Sequence, residues 1–161
     1  AIQRKHYNHF HSRSAIKGFD PYYDYDEALT VAREQNKPLL VDFTGWTCVN
    51  CRKMEADVWS NQEIKDLINN EFILVELYVD ENSLKLPEEE QYVSPNTGKK
   101  INTVGRKNTD FQIARFQSNS QPLYALLGKN EELLVPTSGA NFNIEQYADF
   151  LKSGIAAFKA E

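Results

Sequence analysis

Cysteine is scarce in this sequence. The chain has two cysteines, and both lie in the phrase Trp46-Thr47-Cys48-Val49-Asn50-Cys51. The length of 161 residues predicts about one domain, and a chain of this size can bury a sizeable core without cross-links. A role other than stability is therefore open to the cysteine pair.

Three further scarcities exclude whole classes of function. No apolar run approaches the roughly 18 residues of a membrane span. Basic residues are outnumbered, 18 against 23 acidic ones, and a net charge of −5 is not typical of a nucleic-acid-binding protein. The three histidines, His6, His9 and His11, all lie in a polar N-terminal segment. We therefore expect no nucleic-acid partner, no metal site and no cofactor.

The two cysteines lie where a strand is predicted to meet a helix. An apolar run, Pro38 to Phe43, precedes them, and a helical stretch, Arg52 to Trp59, follows. A Cys-x-x-Cys at such a junction is typical of a redox site, because the helix N-terminus favours the thiolate at Cys48. Positions i and i+3 share a helix face, so Cys48 and Cys51 can form a disulfide. Two buried structural thiols, or half of a zinc site, are the alternatives.

The pattern of apolar residues predicts an α/β fold. The runs at 38–43 and 72–79 are too apolar for half-exposed strands, so they suit a central parallel pair. Gly128-Lys129-Asn130 indicates a hairpin between strands at 122–127 and 132–135. Helices are predicted at 24–36, 52–59, 61–70, 109–116 and 143–158. This order predicts a three-layer sandwich, a central mixed sheet with helices on both faces.

The ends of the chain differ in composition from its middle. Residues 1–20 are polar and irregular, and we interpret them as a flexible N-terminal arm or tether. Residues 21–161 are the predicted domain. Within it, residues 81–106 contain three consecutive glutamates and two prolines, which indicates a surface insertion.

Over about residues 24–158 the chain resembles thioredoxin-fold proteins. Within that superfamily it is most similar to the C-terminal domain of the DsbD-type thiol:disulfide interchange proteins. As in that family, Val49 follows the first cysteine, Glu55 lies four residues after the second, and Asp42 lies six residues before the first. Two features depart from thioredoxin itself: Thr47 separates Trp46 from Cys48, and thioredoxin lacks the insertion.

The resemblance implies a protein-disulfide reductase. Cys48, at the helix start, would attack a partner disulfide, and Cys51 would resolve the mixed disulfide. Asp42, an acid within an apolar strand, is the expected base, and Glu55, one turn after Cys51, is expected to tune the same proton transfer.

The resemblance also implies a substrate-binding edge. A cis proline faces the cysteine pair in thioredoxin-fold proteins, and Pro122 occupies the corresponding place here. The backbone of Gln121 would then pair with an extended substrate. Trp46 and Tyr124 are expected either to form an apolar rim for the partner or to lie in the core.

Partners and location follow from the same resemblance. Protein thiols and disulfides would be the partners, with a membrane-embedded domain as electron donor. The expected location is the periplasm, possibly with a membrane tether, and the alternative is the cytoplasm. An oxidase, an isomerase, a soluble thioredoxin-like reductase and a redox-inert binding module are the alternative functions.

Overall fold

The computed structural model describes residues 4–14 and 16–161. These residues form six α-helices and five strands, with a 3₁₀ turn at Glu88–Glu90 after the second long strand. They are α1 (Tyr7–His11), α2 (Tyr25–Gln35), β1 (Leu39–Thr44), α3 (Val49–Asp57), α4 (Gln62–Glu71), β2 (Ile73–Tyr78), β3 (Tyr92–Val93), β4 (Lys100–Ile101), α5 (Val104–Phe116), β5 (Leu123–Leu127) and α6 (Ile144–Lys159).

A mixed sheet of β2, β1 and β5, in that order, forms the centre of the fold. β1 runs parallel to β2, which requires the long helical connection that α3 and α4 provide. β5 is antiparallel to β1 on its other side. Asp42 in the central strand has Glu76 as its partner on β2 and Tyr124 as its partner on β5.

Helices cover both faces of this sheet. On one face, Leu40, Leu74 and Leu126 pack in a core with side chains of α3, α4 and α6. On the other face, Val41 and Val75 pack with side chains of α2 and α5. The predicted three-layer α/β sandwich is confirmed. None of the helices in the described part of the chain is long and apolar enough to cross a membrane.

The five helices after α1 begin where side chains can accept hydrogen bonds from their first backbone amides. Asp24 accepts from the amide of Glu27, Asn61 from those of Glu63 and Ile64, and Asn143 from that of Gln146. At α3 the acceptor is the sulfur of Cys48, which faces the amide of Cys51 at 3.2 Å. The N-terminus of α3 is therefore directed at the first cysteine.

The N-terminal segment differs from the irregular arm that the sequence predicts. α1 lies in it, and Phe10 is fully buried against Tyr23, Tyr78 and Trp46, with ring centroids 5.0, 5.1 and 5.9 Å apart. Ile16 and Phe19 are also buried, in the core beneath α3 and α4. The prediction failed because these three apolar residues are separated by polar ones and show no helical period.

The segment predicted as a surface insertion also contributes to a core. Leu86 and Ile101 are buried in a cluster with Phe10 and Tyr23. The segment forms a small hairpin of β3 and β4, and its residues Tyr92 and Val93 are exposed. It is shorter than predicted, because Thr103 accepts from the amide of Arg106 and so starts α5 at Val104 rather than Thr109.

Only the first strand of the predicted hairpin after Pro122 is a regular strand. β5 forms, but residues 132–135 are not a regular strand. They contact β5 through an isolated bridge from Leu133 to Leu127, and Ser138 makes another to Tyr124. Pro136 has no backbone N–H to donate, which prevents a continuous ladder between the two bridges.

Candidate thiol–disulfide site

Cys48 and Cys51 form a disulfide at the start of α3, with their Cα atoms 5.2 Å apart. Cys48 is half-buried, whereas Cys51 is 2% exposed. Val49, between them, is 76% exposed. A partner can thus reach the first sulfur and the apolar side chain beside it, while the second sulfur faces the protein interior.

The edge of the sheet beside the cysteines contains Gln121 and Pro122. The peptide bond between them is cis, as the resemblance implied. Leu123 is the partner of Phe43 across β1 and β5, and extending this register sets Pro122 beside Thr44, just before the turn that leads to Cys48. The Gln121 side chain donates to the side chain of Gln112 at 2.9 Å and to the backbone oxygen of Asn119 at 3.0 Å.

Asp42 lies on the sheet face that α3 covers, together with two other acids. Asp42 is 2% exposed, the side chain of Glu55 is 9% exposed, and Glu76 is fully buried. One carboxyl oxygen from each lies within 4.8 Å of those from the other two. The structure therefore brings Asp42 and Glu55 together and adds Glu76, which sequence reasoning missed.

Arg52 is the cation beside this cluster. Its Nη2 donates to the carboxylate of Glu55 at 2.9 Å and to the hydroxyl of Thr44 at 3.0 Å. Glu55 is thereby compensated, whereas neither oxygen of Glu76 has a hydrogen-bond partner and Oδ1 of Asp42 has none either. The cluster could bring three oxygens to a metal ion only by competing with the guanidinium.

Burial dominates the proton affinity of these acids. Desolvation raises the pKa of Asp42 to about 8, and the nearby charge of Glu55 acts in the same direction. Desolvation, reinforced by Asp42, also raises the pKa of Glu76 well above its ordinary value. The pKa of Glu55 is raised by burial too, with Arg52 opposing the shift. A carboxyl group with the pKa of Asp42 can exchange a proton near neutral pH.

Trp46 is held from three sides. Its ring stacks on Tyr78 with centroids 4.0 Å apart, and the guanidinium of Arg13 lies 4.2 Å from the ring centroid. Its indole N–H donates to Glu81 at 3.0 Å, and its backbone N–H donates to Asp80. Trp46 is thus half-buried beneath the N-terminal segment, and Tyr124, 1% exposed, belongs to the core.

Glu81 is a second residue that sequence reasoning missed. Its buried carboxylate accepts from His9, Arg13 and Trp46 at 2.8, 3.1 and 3.0 Å, and from Ser83 as well. Desolvation alone would raise the pKa of Glu81, but the hydrogen bonds from Ser83, His9 and Trp46 prevail and lower it to about 2. The sequence signal for Glu76 was stronger, since an acid interrupts an apolar strand there as Asp42 does in β1.

Comparisons with known proteins agree with this geometry. A family model described as thioredoxin-like matches residues 20–128, which is more than half of the chain. Anterior gradient protein 3 of Mus musculus is 33% identical over 69 residues, which make up 43% of this chain and 42% of that protein. The chain therefore matches less than half the length of this curated relative.

Two solved structures share the fold. A DsbH oxidoreductase is 20% identical, with 97% of this chain and 93% of that one covered and a TM-score of 0.62. The C-terminal domain of DsbD from Neisseria meningitidis, in its oxidised form, is 12% identical, with 84% and 99% covered and a TM-score of 0.55. At these identities the similarity is one of fold.

Proposed function

We propose, from the premise that this chain belongs to the thioredoxin-like family, that it is a reductase of protein disulfides. It has a thioredoxin-like oxidoreductase fold with a Cys-x-x-Cys pair. The observation that supports the proposal most directly is the asymmetry of the pair, a half-buried Cys48 at the start of α3 and a buried Cys51 behind it. That is the arrangement of an attacking and a resolving thiol.

The reaction starts from the dithiol form. The Cys48 thiolate attacks one sulfur of a partner disulfide, and the partner's other sulfur leaves as a thiolate. Cys51 then gives up its proton and attacks the sulfur of Cys48. The mixed disulfide breaks, the partner leaves fully reduced, and the electron pair of the two thiols has passed to it. The product is the Cys48–Cys51 disulfide seen in the structure.

In this proposal Asp42 accepts the proton of Cys51 and Glu55 tunes the transfer. Glu55 lies one helical turn after Cys51, and its carboxyl is close to that of Asp42 beneath α3. The backbone of Gln121 would pair with an extended partner segment, beside Pro122 and the exposed Val49. Trp46 would act by supporting the turn before Cys48 and by offering its half-buried ring to the partner.

We further propose that a membrane-embedded domain supplies the electrons and that the chain works in the periplasm. Both follow from the resemblance to the C-terminal domain of DsbD. Disulfides persist outside the cytoplasm, so a reductase that works there needs electrons from across the membrane. A soluble thioredoxin-like reductase of the cytoplasm is the alternative.

Trapping with Cys51→Ser tests the reaction. This variant should accumulate partners bound to Cys48 through a disulfide, because the thiol that resolves the intermediate is gone. Cys48→Ser should trap nothing and should lose exchange activity outright. If partners accumulate on Cys48→Ser instead, or if neither variant exchanges with any disulfide, then the assignment of roles or the activity itself is wrong.

The equilibrium potential separates a reductase from an oxidase. We expect a value below about −200 mV, against about −270 mV for thioredoxin and about −120 mV for the oxidant DsbA. Equilibration with glutathione or thioredoxin, read by alkylation of the free thiols, gives the value. A potential near that of DsbA would contradict the reductase function and favour disulfide formation.

A further inference from the structure

Asp42 and Glu76 form a pair of carboxyl groups on neighbouring strands. They are register partners on the parallel strands β1 and β2, so both side chains emerge on the face that α3 covers. Glu76 is fully buried, and neither of its oxygens has a hydrogen-bond partner outside this cluster. Oxygens of the two groups lie within 4.8 Å of each other. Oδ1 of Asp42 is also without a hydrogen-bond partner, so each carboxyl group is available to the other.

Counting charges shows that this pair must hold a proton. Arg52 is the nearby cation, and Glu55 already accepts from it at 2.9 Å. If Asp42 and Glu76 were both ionised, two adjacent charges would lie out of water with no counter-charge of their own. A proton on one of them removes one charge and supplies a donor for the other. The raised pKa values of both groups agree with this count.

We propose that Glu76 is a positioning residue of the thiol–disulfide site. Glu76 shares one proton with Asp42 and thereby orients the Asp42 carboxylate to receive the proton of Cys51. This inference rests on the proposed function. In the resolving step, the Cys51 proton moves to Asp42, the Cys51 thiolate bonds to the sulfur of Cys48, and the partner sulfur leaves. The acid pair then holds two protons in place of one, and re-reduction returns the second proton to the thiols.

Other ionisable groups surround the pair and set the background for its titration. They come from α3, β2, β5, α6 and the segment before α2. They are Arg52, Glu55, Tyr78, Tyr124, Tyr147 and Tyr23. The four tyrosines have raised pKa values because of burial, so they stay neutral while the acid pair titrates.

The resolving step can be timed with a chromogenic probe. Reduced protein treated with 5,5′-dithiobis(2-nitrobenzoate) forms a mixed disulfide at Cys48, and attack by Cys51 releases a second coloured thiolate. We would measure that second release from about pH 5 to pH 10, a range that extends to both sides of the pKa of Asp42, about 8. Glu76→Leu removes the donor, so the midpoint of the pH profile should rise by about one unit or more, since an unassisted buried carboxylate binds its proton more tightly.

Glu76→Gln keeps a neutral donor at the same place, so its midpoint should stay within about half a unit of the original. Val75→Ala, on the opposite face of β2, is the control for loosening the strand, and it should lower stability without moving the midpoint. If Glu76→Leu leaves the midpoint unchanged, or if Glu76→Gln moves it as far as Glu76→Leu does, then Glu76 does not position Asp42.

Carboxyl ¹³C chemical shifts in the disulfide form provide a second readout that needs no exchange activity. The signals of Asp42 and Glu76 should titrate together in two steps, with one proton on the pair between the two steps and at least one at neutral pH. Two fully ionised carboxylates at that pH would overturn the inference even in a fully active enzyme. Conversely, unchanged kinetics in Asp42→Asn would reject Asp42 as the base, and with it that part of the proposed function, whatever the shifts show.

Discussion

Asp42 has almost no contact with water, and its pKa rises from 3.8 to about 8 as a result. Between those two values the folded protein keeps a proton that the unfolded chain releases. The contribution of Asp42 to the free energy of unfolding is therefore fully present below about pH 4 and is lost as the pH rises through 8. Asp42→Asn should remove the loss and be more stable than the original protein at pH 8, by on the order of a few kcal/mol.

Urea unfolding of the disulfide form across that pH range measures the difference, which should shrink toward pH 4. Asp57→Asn, the same change at an exposed position of α3, is the matched control and should have little effect at any pH. A constant gap between Asp42→Asn and the original protein would mean that Asp42 does not titrate as its burial implies.

Glu81 has the opposite shift, with its pKa lowered to about 2. Its contribution is present above its ordinary pKa of 4.5 and is lost as the pH falls through 2. Glu81→Gln should cost about 1–3 kcal/mol at neutral pH, because His9, Arg13 and Trp46 would lose a buried, charged acceptor.

The free energy of unfolding, measured from neutral pH down to about pH 2, should show the two proteins converging in acid. Glu89→Gln, an exposed neighbour, is the control. Equal stability of Glu81→Gln and the original protein at neutral pH would show that the carboxylate is not a structural acceptor.

At the scale of elements, α1 is the part of the fold with the least support from sequence and with a clear energetic test. Phe10 is fully buried among aromatic rings from three other segments. Phe10→Ala should cost about 3–5 kcal/mol, as is usual for a buried aromatic. Asn8→Ala, an exposed change on the same helix, should cost far less. If both variants unfold at the same denaturant concentration, α1 is not part of the cooperative core.

The elements that the sequence predicted are those whose pattern is local. β1 and β2 were evident because their apolar runs are continuous, and α4 and α6 because their apolar residues recur at helical spacing. α1 escaped because its burial depends on contacts far along the chain, such as His9 with Glu81, 72 residues away. Residues 132–135 have the composition of a strand, but Pro136 limits their pairing.

The same distinction applies to the site. Both cysteines, Asp42 and Glu55 could be proposed from spacing and from the resemblance, since all four belong to one strand–turn–helix unit. Glu76 lies on a separate strand and joins them only through the register of β1 and β2. The available signal was an acidic residue inside each of two buried parallel strands. Because a buried acid needs a polar partner, two such residues on neighbouring strands are expected to lie close together.

At the scale of the whole molecule, redox state and folding stability are linked. An oxidant such as DsbA is one whose reduced form is the more stable, and the proposed reductase should be the reverse. The disulfide form should therefore unfold at a higher urea concentration than the dithiol form. The two free energies of unfolding should differ by about 1.4 kcal/mol for each 30 mV between the potential of the cysteine pair in the folded protein and its potential in the unfolded chain.

The experiment compares urea unfolding with and without a reductant. The Cys48→Ser/Cys51→Ser double variant is the control, and its transition should not respond to the reductant. Only two residues lie between the two cysteines in sequence, so the disulfide closes a short loop and restricts the unfolded chain little. The stability difference therefore reports mainly on the folded site. A dithiol form more stable than the disulfide form would contradict the reductase function, since a protein with that preference passes its disulfide to its partners, as an oxidase does.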